Sequence, residues 1–414
     1  MSEIAQRLEE LRESGLYRRM RLISGPQGGR VVLDGTPVLL LCSNNYLGLA
    51  DHPAVTEAAA EAALRWGVGA GASRLVSGTM TVHRRLEERL AAFKGTESAV
   101  LFGSGYLANV GVLQALASVG AGRTTIYSDA LNHASIIDGC RLARAETVVY
   151  EHNDAEHLAW TMARRDPDPS APKIVVTDSV FSMDGDVAPL VELLELCRRT
   201  GARLVVDEAH ATGCTGRGGR GAVAEAGLEG EVDVVVGTLG KALGSYGAFA
   251  AASHEVVELL TNAARPLIFS TAPPPPAIAA ALAALELLEA EPERVTALQA
   301  GADALRDELH REGFDVAGST TQIVPLIVGD AALAMRICEL AIEDGVFAQA
   351  IRPPTVPDGT SRLRLAVMAS HTKDELREAA RVLGRAALQA GFRPGSGGPV
   401  AAATPSSRGR VRAA

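Results

Sequence analysis

Arg203-Leu204-Val205-Val206-Asp207-Glu208-Ala209-His210 and, a helix-length further on, Val234-Val235-Val236-Gly237-Thr238-Leu239-Gly240-Lys241 decide the fold. Each is a continuous apolar run that ends abruptly in residues able to carry charge. A strand without polar alternation needs both faces buried, which fits a parallel strand covered by helices on either side. Similar runs recur at Ser98–Gly103, Thr124–Ser128, Thr147–Tyr150, Lys173–Thr177 and Ala248–Ala252. Helical patterns at 54–66, 81–93 and 106–118 alternate with them, the second presenting Leu86, Leu90 and Phe93 on one face. Strands and helices in alternation predict an α/β fold with a mostly parallel, helix-covered sheet.

The flanks read differently. Ile4, Leu8, Leu11 and Leu16 predict an amphipathic helix over 2–20, broken by Gly25-Pro26. Val31–Leu33 and Val38–Leu41, either side of Asp34-Gly35, predict a hairpin, followed by the polar loop Ser43–Gly48. After Pro273–Pro276, two long helical patterns cover 277–311. Strands at Gln322–Val328, Val346–Ile351 and Arg362–Val367 then alternate with helices at 331–343 and 372–389, predicting a smaller α+β domain. The expected division is an N-terminal helix and hairpin segment (1–45), a large domain (46–285), a small C-terminal domain (286–390) and a disordered tail (391–414).

The 414 residues, 47% hydrophobic and 21% charged, exclude disorder as the dominant state. Forty basic against forty-nine acidic side chains leave a net charge of −9, which argues against nucleic acid or an anionic membrane as the main partner. Cys42, Cys140, Cys197, Cys214 and Cys338 are odd in number and form no C-x-x-C pair. A disulfide framework or zinc knuckle is not expected, and a reducing cytoplasm is. The first residues carry Glu3, Glu9 and Glu10 without an apolar core, so no secretory signal is read there. No run reaches the roughly 20 apolar residues a membrane span requires.

Open parallel sheets place ligands at the carboxyl ends of their strands. Asp207 and His210 stand at one such end. An isolated D-x-x-H is also what a solvated strand terminus with a capping aspartate gives. Lys241 stands in a glycine-rich loop at another. A phosphate loop of the G-x-x-x-x-G-K-[ST] type is rejected, because position 235 is valine and Ala242 follows the lysine. A surface lysine in a turn is the plain alternative, and a buried lysine with a lowered pKa, able to form a Schiff base, is the chemical one. Gly103-Ser104-Gly105-Tyr106 turns a strand into a helix whose free N–H groups suit a phosphate, although a tight turn gives the same letters. Asn132-His133 and Thr177–Asp186 follow two further strands. Their convergence on one sheet edge matches the needs of pyridoxal phosphate: a lysine, a carboxylate for the pyridine nitrogen, a flat group for the ring and donors for the phosphate.

Five stretches carry a family resemblance: Ser43–Leu49, Gly69–Gly78, Ser182-Met183-Asp184-Gly185-Asp186, Asp207–Gly213 and Gly237–Lys241. Through them the chain resembles the α-oxoamine synthases, fold-type-I pyridoxal-phosphate enzymes, over about Gly15 to Gly391. Ala350–Pro357 looks most like the branch that joins L-alanine to a pimeloyl thioester of coenzyme A or acyl carrier protein, with loss of carbon dioxide, in biotin biosynthesis. The alternative is a relative using glycine or serine with another acyl-CoA, such as 2-amino-3-ketobutyrate CoA ligase. The resemblance implies that Lys241 anchors the cofactor and moves the substrate proton. It implies that Asp207 pairs with the pyridinium, His210 bonds the phenolic oxygen and His133 stacks on the ring and meets the substrate. Gly105, Tyr106, Ser182 and Thr238 would add cofactor contacts. Arg352 would bind the amino-acid carboxylate, Asn44 would touch substrate, and Thr355 with an N-terminal arginine would meet the acyl group. That arginine is read as Arg18, with Arg19 and Arg21 close by. The family also implies a homodimer with a shared site, to which Gly71–Gly78 would contribute.

Overall fold

The computed structural model describes residues 2–120, 123–166, 168, 170–393 and 395. Its centre is a seven-stranded sheet. In chain order the strands are β1 (Ser98–Phe102), β2 (Thr125–Asp129), β3 (Glu146–Tyr150), β4 (Lys173–Asp178), β5 (Arg203–Asp207), β6 (Val234–Thr238) and β7 (Ala248–Ala252). Their spatial order is β1-β7-β6-β5-β4-β2-β3, with only β7 running against its neighbours. Alternate residues point to opposite faces of a strand, and here both faces are buried. Leu101, Tyr127, Val175, Leu204, Val206, Val235 and Phe249 pack on one side. Val100, Phe102, Ile126, Ile174, Val176, Val205 and Val236 pack on the other. The unbroken apolar runs therefore have the physical cause expected of them.

Register collects the polar strand ends. Asp178 pairs with Asp207, Asp207 with Val236, and Ala248 of β7 faces both Thr238 and Phe102. The carboxyl ends of β1, β4, β5 and β6 thus share one edge, with the loops that follow them.

The C-terminal part has a three-stranded antiparallel sheet of Ile323–Gly329, Ser361–Ala366 and Gln349–Ile351, packed with helices Ala331–Glu343 and Lys373–Ala390. The run Val346–Ile351, expected as one strand, is two. Val346–Phe347 pairs in parallel with Thr36–Leu40 of the N-terminal hairpin, while Gln349–Ile351 joins the small sheet. The chain changes sheets at Ala348, next to Gln349, the one polar residue of an otherwise apolar run. The first helix is also shorter than expected, Glu3–Glu13, and buries none of its residues. The Ser14 hydroxyl bonds back to the Glu10 carbonyl at 2.8 Å, Gly15 takes φ +66°, and Leu16 N–H returns to the Leu11 carbonyl at 2.8 Å. This left-handed stop ends the helix well before Gly25.

Gly391 caps the last helix in the left-handed conformation. The rest of the expected tail lies, but for Phe392, Arg393 and Gly395, outside the described residues. Among the described residues no helix is long and apolar enough to cross a membrane.

Candidate active site

Asp207 ends β5 almost fully buried. Its Oδ1 accepts the Ala209 N–H at 2.8 Å and its Oδ2 the Asn109 amide at 2.6 Å. Asn109 also donates to Ser135 Oγ at 2.9 Å. Among the described residues no cationic side chain lies within ion-pair distance of Asp207, so the buried carboxylate stands ready for a cationic N–H. On the next strand, Asp178 accepts the His133 N–H at 2.7 Å. Burial and the neighbouring Asp207 push the Asp178 carboxyl well above the usual carboxylate range. His133 caps helix Ala134–Ala143, its Nδ1 accepting the Ser135 N–H at 3.2 Å and lying 2.7 Å from Ser135 Oγ; burial of the imidazole lowers its pKa, although Asp207 opposes this.

Lys241 sits in a turn closed by Gly244 N–H to the Lys241 carbonyl at 2.9 Å. Gly244 has φ +61°, and a Cβ there would lie 2.4 Å from the Ala50 nitrogen, so this turn needs glycine. Lys241 Nζ is 2.8 Å from His210 Nε2. Burial of the amine lowers its pKa to about 8, although Asp207 and Asp178 pull the other way. A lysine there keeps an appreciable neutral, nucleophilic fraction near neutral pH. His210 is buried, and burial with the charges of Lys241 and Arg364 holds its pKa well below that of a free imidazole, so it is neutral. Its Nδ1 meets the Tyr46 hydroxyl at 2.6 Å, and its carbonyl accepts the Gln322 amide at 2.8 Å.

Helix Gly105–Ser118 begins at the end of β1, capped by Ser104 Oγ accepting Leu107 N–H at 3.3 Å. Space around Gly105 is open, and first-turn N–H groups such as those of Gly105 and Tyr106 have no intrahelical acceptor. The Tyr106 hydroxyl is held by Asp138. Thr238 Oγ1 donates to the Gly247 carbonyl at 3.1 Å and accepts Gly240 N–H at 3.2 Å. The loop with Ser182 is tied down by His152, whose Nδ1 lies 2.9 Å from Asp129 and Nε2 2.7 Å from Asp186. Burial opposes the His152 charge, but these two carboxylates raise its pKa to about 10, so it is an imidazolium clamp.

Four residues of this assembly escaped the sequence reading: Asn109, Tyr46, Gln322 and Arg364. Arg364 is a buried guanidinium that donates to Tyr46 OH at 3.1 Å, Asn44 Oδ1 at 3.3 Å and the Ser182 carbonyl. It has no carboxylate partner among the described residues. Its signal was present: Arg362 and Arg364 alternate with leucines in Ser361–Ala366, which puts both on one face of a buried strand.

Arg352 stands elsewhere in the assembly. It donates to the Gly15 carbonyl and lies beside Arg18, whose charge adds to burial in lowering its pKa. Arg18 donates to the Pro353 carbonyl at 3.4 Å, and Thr355 is exposed. Arg21 is occupied by Asp34 and Glu339, whereas Arg19 is exposed. Gly71–Gly78 contains a five-residue π-turn, Arg74–Gly78, with Leu75 and Val76 exposed.

Among the described residues no group of three or more His, Cys, Asp or Glu is placed to hold a metal ion. The family model of class I and II aminotransferases matches residues 36–383. The chain is 52% identical over 391 residues to the 8-amino-7-oxononanoate synthase of Geobacter sulfurreducens, covering 94% of this chain and 99% of that protein. A solved structure of SPT with PLP internal aldimine superposes with a TM-score of 0.88 at 33% identity, covering 94% of this chain and 98% of that one. The 8-amino-7-oxononanoate synthase of Francisella tularensis superposes with a TM-score of 0.72 at 25% identity, covering 85% and 98%. The chain belongs to the class I and II aminotransferase family and, within it, to the family of the 8-amino-7-oxononanoate synthases.

Proposed function

We propose that this protein is a pyridoxal-phosphate-dependent acyltransferase of biotin biosynthesis. It condenses L-alanine with a pimeloyl thioester and releases carbon dioxide, the thiol carrier and 8-amino-7-oxononanoate. The observation that carries the reading is the buried, unpaired Asp207 carboxylate on the same sheet edge as a lysine whose amine sits near pKa 8, in a chain about half identical to synthases of that name.

The donor set fits the cofactor. Asp207, fixed by Asn109 and Ala209, would hold a pyridinium N–H. The amides of Gly105 and Tyr106, with Ser182 and Thr238, would hold the phosphate end, and His133 would cover the ring. His210 would donate to the phenolic oxygen. Pyridoxal phosphate, when bound, supplies an electron sink for a carbanion at the amino acid's α-carbon. The chain's part is to bind, orient and move protons. Lys241 Nζ takes the α-proton as a neutral amine and returns it later. Arg364, lacking a carboxylate of its own, takes the amino-acid carboxylate with Asn44. Arg352 serves as a second fork for substrate carboxylates once it releases the Gly15 carbonyl, with Arg18 and Thr355 beside it at the acyl end. The new C–C bond forms as the thiolate leaves. The carboxylate of the alanine moiety then departs as carbon dioxide.

A homodimer with a shared site is part of the proposal, supported by exposed Leu64, Val68, Leu75, Val76 and Phe269 around the Gly67–Thr79 segment. A cytoplasmic setting accords with five free cysteines.

A second reading is condensation with serine or glycine, favoured by the higher TM-score to SPT. The 52% against 33% identity weighs against it. Purified protein assayed with alanine, glycine and serine against pimeloyl, acetyl, succinyl and palmitoyl thioesters decides by product mass. Alanine with pimeloyl is expected to exceed every other pair by at least about ten-fold in kcat/KM, a difference of about 1.4 kcal/mol. A larger rate with another pair overturns the substrate assignment.

A further inference from the structure

Tyr46 is fully buried, and no role follows for it from the cofactor contacts above. It is anchored by its backbone: its N–H bonds to the Asn44 carbonyl at 2.8 Å, and its carbonyl accepts Ala369 N–H at 2.7 Å. Its hydroxyl meets polar atoms of Arg364, Asn44 and His210, and the Gln322 amide also bonds it. Arg364 Nη2 at 3.1 Å can only donate, Asn44 Oδ1 at 3.0 Å can only accept, and His210 Nδ1 at 2.6 Å can do either.

We propose that Tyr46 is a positioning residue: its hydroxyl, fed by Arg364, gives its one hydrogen to His210 Nδ1 and so fixes the histidine as the Nε2–H tautomer facing Lys241. Asn44 Oδ1 does not need that hydrogen, because Arg364 Nη2 also reaches it at 3.3 Å. The shorter contact, to Nδ1, is the one left to fill. A neutral His210 that accepts at Nδ1 must carry its hydrogen at Nε2, 2.8 Å from Lys241 Nζ. The lysine then faces a donor and is favoured as the neutral amine. When Lys241 is protonated the pattern reverses. Nζ donates to Nε2, the ring hydrogen sits on Nδ1, the Tyr46 oxygen accepts it, and the Tyr46 hydrogen turns to Asn44. One hydroxyl rotation thus accompanies the charge of the lysine. The charged or titratable groups around this pair are Arg364, His133, Asp207, Asp178 and Cys214. Burial raises the Tyr46 phenol to about 12, so it stays a hydrogen donor throughout.

The inference deepens the proposed function, since an Nε2–H at His210 is the form that can donate to a phenolic oxygen of the cofactor. Its test reads the apoprotein and does not depend on turnover. Ring-¹⁵N-histidine protein, with the His210 signals assigned by their loss in His210→Asn, reports the tautomer directly. Above the Lys241 titration the wild-type ring is expected to be mainly Nε2–H. In Tyr46→Phe, which keeps the aromatic ring in its slot, the ratio of Nε2–H to Nδ1–H should fall by about five-fold or more, the loss of one net hydrogen bond. An unchanged ratio in the variant overturns the proposal while leaving the cofactor assignment intact. Should the variant fail to fold, the wild-type spectrum decides: a dominant Nδ1–H form above the lysine titration overturns it. Failure of Lys241 to bind cofactor would instead strike the proposed function and leave the tautomer result standing.

Discussion

Replacing Lys241 by alanine is expected to reduce condensation by at least about 10³-fold, because in the proposed function one side chain supplies both the cofactor's covalent anchor and the proton carrier. Lys241→Arg should be as inactive, since a guanidinium keeps its proton and cannot attack an aldehyde. The fold should survive either change, because Lys241 makes no ion pair among the described residues and its turn is held by backbone bonds around Gly244. Equal urea midpoints with lost turnover are the expected result. The lowered pKa adds a pH signature. With the free amine at about 8, cofactor uptake by apoprotein should rise with pH through that value and level off above it. A fully active alanine variant would remove the basis of the proposed chemistry.

The second large effect concerns stability. Lys94 and Glu208 form a buried ion pair directly behind the Asp207–His210 loop. Lys94 Nζ also donates to Thr212 Oγ1 at 2.8 Å and to the Arg220 carbonyl at 2.6 Å, while Glu208 Oε1 accepts Val223 N–H at 2.7 Å. The carboxylate fills the space where a Cβ on Gly221 would stand, and Gly221 has φ +108°. The pair therefore fastens three segments at once. Burial pulls the Lys94 amine down, and Glu208 opposes it. Lys94→Met leaves an uncompensated buried carboxylate and is expected to cost about 3–5 kcal/mol in urea unfolding. Changing both to apolar residues, Lys94→Met with Glu208→Leu, should recover much of that loss, because no charge then remains without a partner. Loosening beside Asp207 and His210 should also weaken cofactor retention in the single variant. A single variant as stable as wild type would mean that the carboxylate finds another partner or takes up a proton without strain.

The sequence made the strand ends legible because their logic is local. A Val-rich run must be buried, and whatever polar residue follows it must stand at the edge. Asp207, His210, Lys241, His133 and Gly105 were read as candidates this way, and the structure brings Asp207, His210, His133 and Lys241 together. Asn109, Tyr46 and Gln322 reach the same place from other elements through tertiary packing, which leaves no short-range pattern for a reader to find, while Arg364 left only the alternation of two arginines with leucines in Ser361–Ala366. Arg352 was legible as a candidate but not in its position, because its neighbours Gly15 and Arg18 come from a segment read as helix. That segment's early stop depends on Gly15 and Ser14, two residues whose effect is decided by hydrogen bonds rather than by hydrophobic spacing. Likewise the break at Ala348 depends on which sheet each half can pair with.

Borohydride reduction of holoprotein, followed by proteolysis and peptide mass analysis, tests the central claim most directly. The expected result is a pyridoxyl phosphate group on the peptide carrying Lys241, with Lys94, Lys173 and Lys373, the other lysines of the chain, unmodified. An unlabelled Lys241, or the label on one of the other three, would contradict the account.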